Sequence, residues 1–267
     1  MLRAKATKVP MSDWNPESYL QFRNARTRPS IDLVTRIPSA DPRAIIDFGC
    51  GPGNSTQVLA HRWPRARVLG LDQSPAMIET ARSDYPGPEW IVADAATYET
   101  EETFDIVFSN ATIQWIPDHE ALLARWRGLL GEGGVLAVQM PLFWEMPLGQ
   151  LIDRVSRDPR WRRSTEHVSS LFTIHDYRFY YDRLTDLFAR VDVWETTYMD
   201  VLASHRSVVE LIKSTGLKPY LDSLDGLESQ EAFEQDVLRG VEEVYPSQRN
   251  GKVILPFKRL FFIGQNV

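Results

Sequence analysis

Two hydrophobic periods alternate along the middle of the chain. Between residues 43 and 140, continuous apolar runs recur at 44–48, 67–72, 89–93, 104–109 and 133–140, and each reads as a buried parallel strand. The stretches between them, 54–63, 74–83 and 117–130, carry apolar residues at helical spacing and are expected helices. Such alternation predicts an α/β protein, a parallel sheet with helices on both faces. Right-handed crossovers then bring the strand C-termini to one edge.

The flanks follow other patterns. Asn15 and Pro16 open a helix bearing Tyr19, Leu20 and Phe22, which Pro29 ends or kinks. A second helix, 30–37, places Ile31, Val34 and Ile37 on one face. Residues 141–177 lose the period, with Pro141, Pro147 and Pro159 breaking the run and Arg154, Arg157, Arg160, Arg162 and Arg163 clustered. That stretch is either an irregular connection with a solvated basic face or a flexible flap charged for an anionic substrate. A helix at 178–189, an alternating strand at 191–199, helices near 205–214 and 228–244, and a last strand at 252–263 complete the pattern. The expected division is a helical lid at 13–38, a core at 39–141, a flap at 142–177, more core at 178–203, a helical cap at 204–250 and a final strand at 251–267.

Composition narrows the classes. With 267 residues and 43% hydrophobic content, the chain can bury a sizeable core. A net charge of −6 argues against general affinity for nucleic acid, while leaving room for a local basic pocket. The single cysteine, Cys50, excludes an intrachain disulfide and a Cys-rich metal site, and no metal is expected. No apolar stretch reaches 18 residues and the basic start has no apolar signal core, so the expectation is a cytoplasmic protein. Organised sequence begins at Asp13, which makes Met11 an alternative start.

The candidate chemistry starts at Asp47-Phe48-Gly49-Cys50-Gly51-Pro52-Gly53-Asn54-Ser55. Three glycines in five residues make a tight turn that lets a ligand approach the backbone, between a strand and a helix N-terminus. A dinucleotide fingerprint starting at Gly49 needs glycine where Asn54 stands, and a phosphate loop needs Gly-Lys-Ser/Thr, which is absent. Asp47 within the turn suits a ligand with cationic groups better than a pyrophosphate. Asp72 ends the next strand, where a carboxylate can accept from ribose hydroxyls. Asp94-Ala95 and Asn110 end the third and fourth strands, so four polar groups converge on one cleft. Gln73 follows Asp72, and Met77 lies in the next helical turn, either flanking an adenine ring or filling the core. Trp115 is either a core aromatic or a face toward a cation.

This pattern resembles the class I S-adenosylmethionine (SAM)-dependent methyltransferases. Gln114-Trp115-Ile116-Pro117-Asp118-His119 is a further match of the kind many methyltransferases share, and more specific stretches are the opening Trp14-Asn15-Pro16 to Arg28-Pro29, Gln139-Met140-Pro141 and Thr215-Gly216-Leu217. Together they resemble the trans-aconitate 2-methyltransferase family, over residues 11 to about 262, least at 143–175. The resemblance implies a Rossmann-like sheet of seven strands, mostly parallel with an antiparallel last strand, and helical cap insertions. It implies SAM as methyl donor and a small-molecule tricarboxylic acid as partner, with a monomethyl ester and S-adenosylhomocysteine as products. Tyr19 and Arg28 are then expected to close over the methionine end of the donor, Arg28 reaching its carboxylate or the substrate's, and Gly49, Gly51, Asn54, Asp72, Gln73, Met77, Asp94, Ala95, Asn110 and Trp115 to line its site with Asp47. An acid ionised at pH 7 needs no general base, so no catalytic base is assigned. Candidates to hold its carboxylates are Trp144, Tyr180, Tyr181, Tyr198, His205 and Arg259. Other readings are a SAM methyltransferase for another small molecule, a SAM-binding protein without catalysis and, most distantly, a nicotinamide oxidoreductase.

Overall fold

The fold is that of a computed structural model, described over residues 23–266, with side chains from Thr27 onward. Among the described residues, one helix, α1 (Arg23–Arg36), precedes the sheet. It runs through Pro29, where a break between two helices was expected. A proline removes one backbone hydrogen bond. The helix is held in register by Leu33, Val34 and Ile37, all buried against the sheet, whereas Ile31 stands exposed.

The alternating region folds as expected. Its elements are β1 (Ala44–Phe48), α2 (Asn54–Arg62), β2 (Arg67–Asp72), α3 (Pro75–Asp84), β3 (Glu89–Val92), β4 (Phe104–Asn110), α4 (His119–Gly128) and β5 (Leu130–Pro141). β5 starts earlier than its apolar run, because Leu130 pairs with Phe104 before a register shift absorbs the glycines. Beyond it lie α5 (Pro147–Ser156), α6 (Arg162–Thr165), α7 (Tyr177–Leu187), β6 (Arg190–Leu202), α8 (His205–Lys213), α9 (Lys218–Asp222), α10 (Gly226–Val244) and β7 (Val253–Gln265). The seven-stranded sheet has the order β3-β2-β1-β4-β5-β7-β6, with β7 antiparallel to both neighbours and the other paired strands parallel.

Two layers of helix cover the sheet. On one face, Leu122, Leu123 and Trp126 of α4 and Tyr180 and Leu184 of α7 pack on Ile46, Phe48, Val107 and Leu136. Trp126 stacks on Phe48 at 4.7 Å and 7°, a contact worth about 0.5–1.5 kcal/mol beyond its area. On the other face, α1 and α2 lay Leu33, Val34, Leu59 and Trp63 on Ile45, Ile106, Phe108 and Ala137.

A third cluster corrects the picture of an irregular stretch at 141–177. Pro147 starts α5, whose Leu148, Leu151 and Ile152 pack with Trp161, Val168 and Phe172 against Val208, Ile212, Tyr220, Phe233 and Val237. Residues expected as a flap and as a separate cap therefore share one apolar interior. Three of the five clustered arginines there are paired: Arg157 with Asp153, Arg160 with Asp158 and Asp236, and Arg162 with Glu166. That favours the solvated face over a flap charged for substrate.

The register sets where this helical part hangs. Pro141, the end of β5, pairs with Arg259 of β7, which pairs with Thr196 of β6. β6 and β7 continue pairing to Leu202 and Val253. The ribbon thus overhangs the edge where the parallel strands end by roughly 20 Å, at the usual rise of a strand, and forms a wall beside it.

Candidate functional site

The glycine turn is built by backbone constraints. Gly49 has φ +71°, and a Cβ there would fall 2.1 Å from Thr112 Oγ1. Its amide and that of Cys50 both donate to the Leu71 carbonyl, at 2.7 and 3.0 Å. Gly51 has φ +55° and open space where a Cβ would project, so a ligand can lie against it. Its amide donates to Asp72 Oδ2 at 2.9 Å, while Asp72 Oδ1 accepts from the Ser74 amide at 2.9 Å. Asp72 therefore ties the turn to the start of α3.

Asp47 does internal work instead of facing a cationic ligand group. It is fully buried, and its Oδ2 accepts from Ser55 Oγ and Thr56 Oγ1, both at 2.7 Å. Burial pushes its carboxyl up to about 6 against those two lowering hydrogen bonds. Gly53, in a left-handed conformation, occupies the cap of α2, where Asn54 or Ser55 was expected. Asn54 is the first helical residue, its Oδ1 accepting from Tyr85 Oη at 3.3 Å and its buried Nδ2 lacking a partner. Cys50 is buried, and desolvation with the Asp47 and Asp72 charges pushes its thiol up, away from nucleophilic chemistry.

Along the same edge, Asp94 is half-buried and accepts from the Ala96 amide at 2.9 Å. Ala95 is buried, its carbonyl taken by Trp126 Nε1. Gln73 is exposed beside Asp72, and Met77 is 3% exposed, at the inner end of α3. Asn110 ends β4 with a buried Oδ1 that has no hydrogen-bond partner. An open glycine, carboxylates at two neighbouring strand ends and an orphaned amide oxygen form an acceptor-rich cradle. That set of acceptors fits a ligand with ribose hydroxyls, an amine and a positive charge. Trp115 packs on Phe172 at 4.6 Å and Trp144 on the same ring at 5.2 Å, so both tryptophans line the junction with the third cluster.

The far side of the edge is donor-rich. Arg259 is 8% exposed, its guanidinium 4.6 Å above the Phe257 ring and its Nη1 donating to Gln139 Oε1 at 3.3 Å. Tyr198, on the overhanging ribbon, donates to Asp32 Oδ2 at 2.6 Å, and Arg28 of α1 sits 4.9 Å above its ring. Burial, more than the Asp32 bond, raises the Tyr198 hydroxyl out of the working range. Asp200 is raised by burial, with Arg259 and Arg28 pulling the other way, so both cations act on this wall.

Other expected residues lie elsewhere. Tyr19 lies outside the described residues. Tyr180 is wholly buried and is no substrate clamp: its hydroxyl meets His119 Nδ1 at 2.7 Å, and His119 Nε2 meets the Ile113 carbonyl at 2.8 Å. Burial lowers His119, so the neutral ring donates from Nε2 and accepts from the phenol. The pair bolts the segment after Asn110 to α7. Tyr181 is on the outer surface at 52% exposure. His205 follows the far end of the ribbon, its Nε2 donating to the Tyr245 carbonyl at 2.7 Å, which engages it in the helical part. A surface depression of about 390 Å³ lies apart from the cleft, between α2 and the turn after α3. Its Arg67 is already engaged by Glu89 and Glu102.

Sequence reasoning missed Gln139, Asp32, Asp200, Thr112 and His119 as contributors. Gln139 had a visible signal, a lone amide within the apolar run Val135–Met140. The others carried none, since their partners are remote in sequence.

Comparison with known proteins agrees with this geometry. Residues 46–138 match the family described as Methyltransferase domain. The trans-aconitate 2-methyltransferase of Methylobacterium nodulans is 43% identical over 256 residues, covering 96% of this chain and 99% of that protein. That of Escherichia coli O139:H28 is 40% identical over 258 residues, covering 96% of this chain and 100% of its own. Among solved structures, the YcgJ protein of Bacillus subtilis superposes with a TM-score of 0.61 at 12% identity, covering 90% of this chain and 98% of that one. At that identity the likeness is one of fold.

Proposed function

The chain belongs to the trans-aconitate 2-methyltransferase family, and from that premise we propose that it esterifies a carboxylate of trans-aconitate with SAM as methyl donor. The products are the monomethyl ester and S-adenosylhomocysteine. The observation that carries the acid reading is Arg259, a guanidinium 8% exposed at the edge where β5 ends. A buried fixed cation next to an acceptor-rich cradle suits an anionic substrate beside a cationic donor.

The bound donor supplies an electrophilic methyl group on a sulfonium. Asp72 would hold its ribose hydroxyls, Asp94 the amine end of its base, and Gly51 would let it lie on the turn. Asn110 Oδ1 would accept from its ammonium. The chain's own task is orientation and exclusion of water, because a carboxylate of pKa about 4 is already ionised at pH 7. Arginine keeps its charge throughout the working range. No side chain in the cleft needs to take a proton.

Incubation with SAM and a panel of tri- and dicarboxylic acids tests this. We expect S-adenosylhomocysteine and an alkali-labile ester with trans-aconitate, and a saturated rate that is level between about pH 7 and 9, where the acid stays ionised. A saturated rate rising tenfold per pH unit, or a product stable to mild alkali, would show methylation of an amine or hydroxyl instead.

A further inference from the structure

Among the described residues, Gln139 is a polar side chain with no exposure in the middle of the sheet. Its Oε1 accepts from Arg259 Nη1 at 3.3 Å. Its Nε2 is buried and has no hydrogen-bond partner. Reversing the amide would set its hydrogens against those of the guanidinium, so the orientation is fixed by chemistry. A buried amide donor left without an acceptor is costly and rare. It is expected where a ligand brings the acceptor.

Position says which ligand. Gln139 is the register partner of Asn110 across β4 and β5, and Arg259 lies two register pairs further along, opposite Pro141. All three lie on the face that α1 covers. The polarity changes between the two strands: Asn110 presents an orphaned acceptor, Gln139 an orphaned donor beside a cation. The acceptors belong with the methyl donor and the donors with the acid.

We propose that the Gln139 amide and the Arg259 guanidinium form a two-donor seat for a carboxylate of the acid substrate, and that this carboxylate is not the one esterified. An oxygen held by a charged donor has its lone pairs engaged. The seat therefore holds one end of the acid and leaves another carboxylate for the methyl. This deepens the proposed function and rests on it. Gln139 then determines specificity by requiring a second carboxylate, so a monocarboxylic acid lacks the group the seat recognises.

The test compares wild type with Gln139→Met, which keeps the shape and removes both the Nε2 donor and the Oε1 acceptor of Arg259, and Gln139→Glu, which places a competing carboxylate against Arg259. Trans-aconitate binding is measured by calorimetry in the presence of S-adenosylhomocysteine, alongside KM, kcat and the affinity for S-adenosylhomocysteine alone. Gln139→Met should raise the Kd and KM for trans-aconitate about 10- to 100-fold, the scale of one charge-assisted hydrogen bond. Gln139→Glu should raise them further, with S-adenosylhomocysteine affinity unchanged in both variants, while Gln139→Met, which leaves Arg259 Nη1 without its Oε1 acceptor, lowers the melting temperature without preventing folding. If Gln139→Met folds and binds the acid as wild type does, the seat is overturned while the proposed function stands. If instead S-adenosylhomocysteine affinity falls and acid affinity does not, the amide serves the methyl donor and the inference is wrong. A wild type that binds and methylates no acid overturns both. A wild type that binds the acid without turnover, with binding lost in both variants, supports the seat and overturns the reaction.

Discussion

Asp47 places a measurable pH dependence inside the turn. Its carboxyl is raised from 3.8 to about 6 because no water reaches it, although two hydroxyls donate to its Oδ2. The sign follows from linkage. The folded state holds the proton more tightly than the unfolded chain, so the stabilising contribution is complete below 3.8 and is lost as pH rises through about 6. A shift of roughly two units corresponds to about 3 kcal/mol, as an order of magnitude. Asp47→Asn keeps an oxygen that accepts from Ser55 and Thr56 and removes the titration. Its new amide hydrogens meet the site of the unpartnered Oδ1, which costs about 1–3 kcal/mol at every pH. The absolute difference between the proteins therefore mixes two effects, but its change with pH contains one. Urea unfolding of both proteins from about pH 4 to 7 reads it. The stability of wild type relative to Asp47→Asn should fall by about 3 kcal/mol across that range. A difference that stays level with pH would show that Asp47 is ionised and solvated, and would refute the account of the turn.

Other expectations follow from the same geometry. Asp72→Ala should weaken binding of S-adenosylhomocysteine by about 1–3 kcal/mol, read by calorimetry, because it removes a charged acceptor and frees the Gly51 amide. Tyr180→Phe leaves His119 Nδ1 buried without its donor and should lower stability by about 1–3 kcal/mol by denaturant unfolding, with KM for the acid little changed. A large rise in KM there would return Tyr180 to the substrate. Raising the salt from about 0.05 to 0.3 M should change KM for the acid less than about threefold, because a buried cation is poorly screened. A steeper rise would point to exposed arginines as the binding groups.

How much of this was legible depended on the range of the contacts. The donor side is written locally: Gly49, Gly51 and Asp72 lie in two consecutive strand-to-helix turns, and their constraints are backbone constraints between near neighbours. Strand and helix periods gave the sheet because each parallel strand is buried on both faces and reads as an apolar run. The acid side is written at long range. Arg259 meets Gln139 across 120 positions and Tyr198 meets Asp32 across 166. Among single tyrosines and histidines, sequence cannot separate a cleft hydroxyl from a core one. Tyr180 and His205 were candidates by residue type and are engaged by His119 and the Tyr245 carbonyl. Residues 141–177 hid a helix because prolines and arginines mask its period. Pro147 sits at its first turn, where its missing N–H costs nothing, and its apolar face needs α8 and α10 to be buried.

That long-range assembly also explains how a chain of net charge −6 can select an acid. At physiological salt the Debye length is about 8 Å, so the average charge of the surface neither attracts nor repels a ligand already in the cleft. What acts there is the field of nearby groups in low dielectric. Arg259 supplies a cation at 8% exposure, and the exposed Arg28 a second, better solvated one against the Tyr198 ring. Asp200 opposes them, but burial raises its carboxyl and so weakens that opposition. The fixed positive field on the ribbon wall thus faces acceptors on the turn, with Asn110 and Gln139 as adjacent residues at the boundary. On the proposed reading a cationic donor and an anionic acid would be drawn to opposite sides of one edge, each favouring the other's binding by charge. The order of the two sides along the sheet, acceptors at β1 to β4 and donors at β5 to β7, is what aligns them.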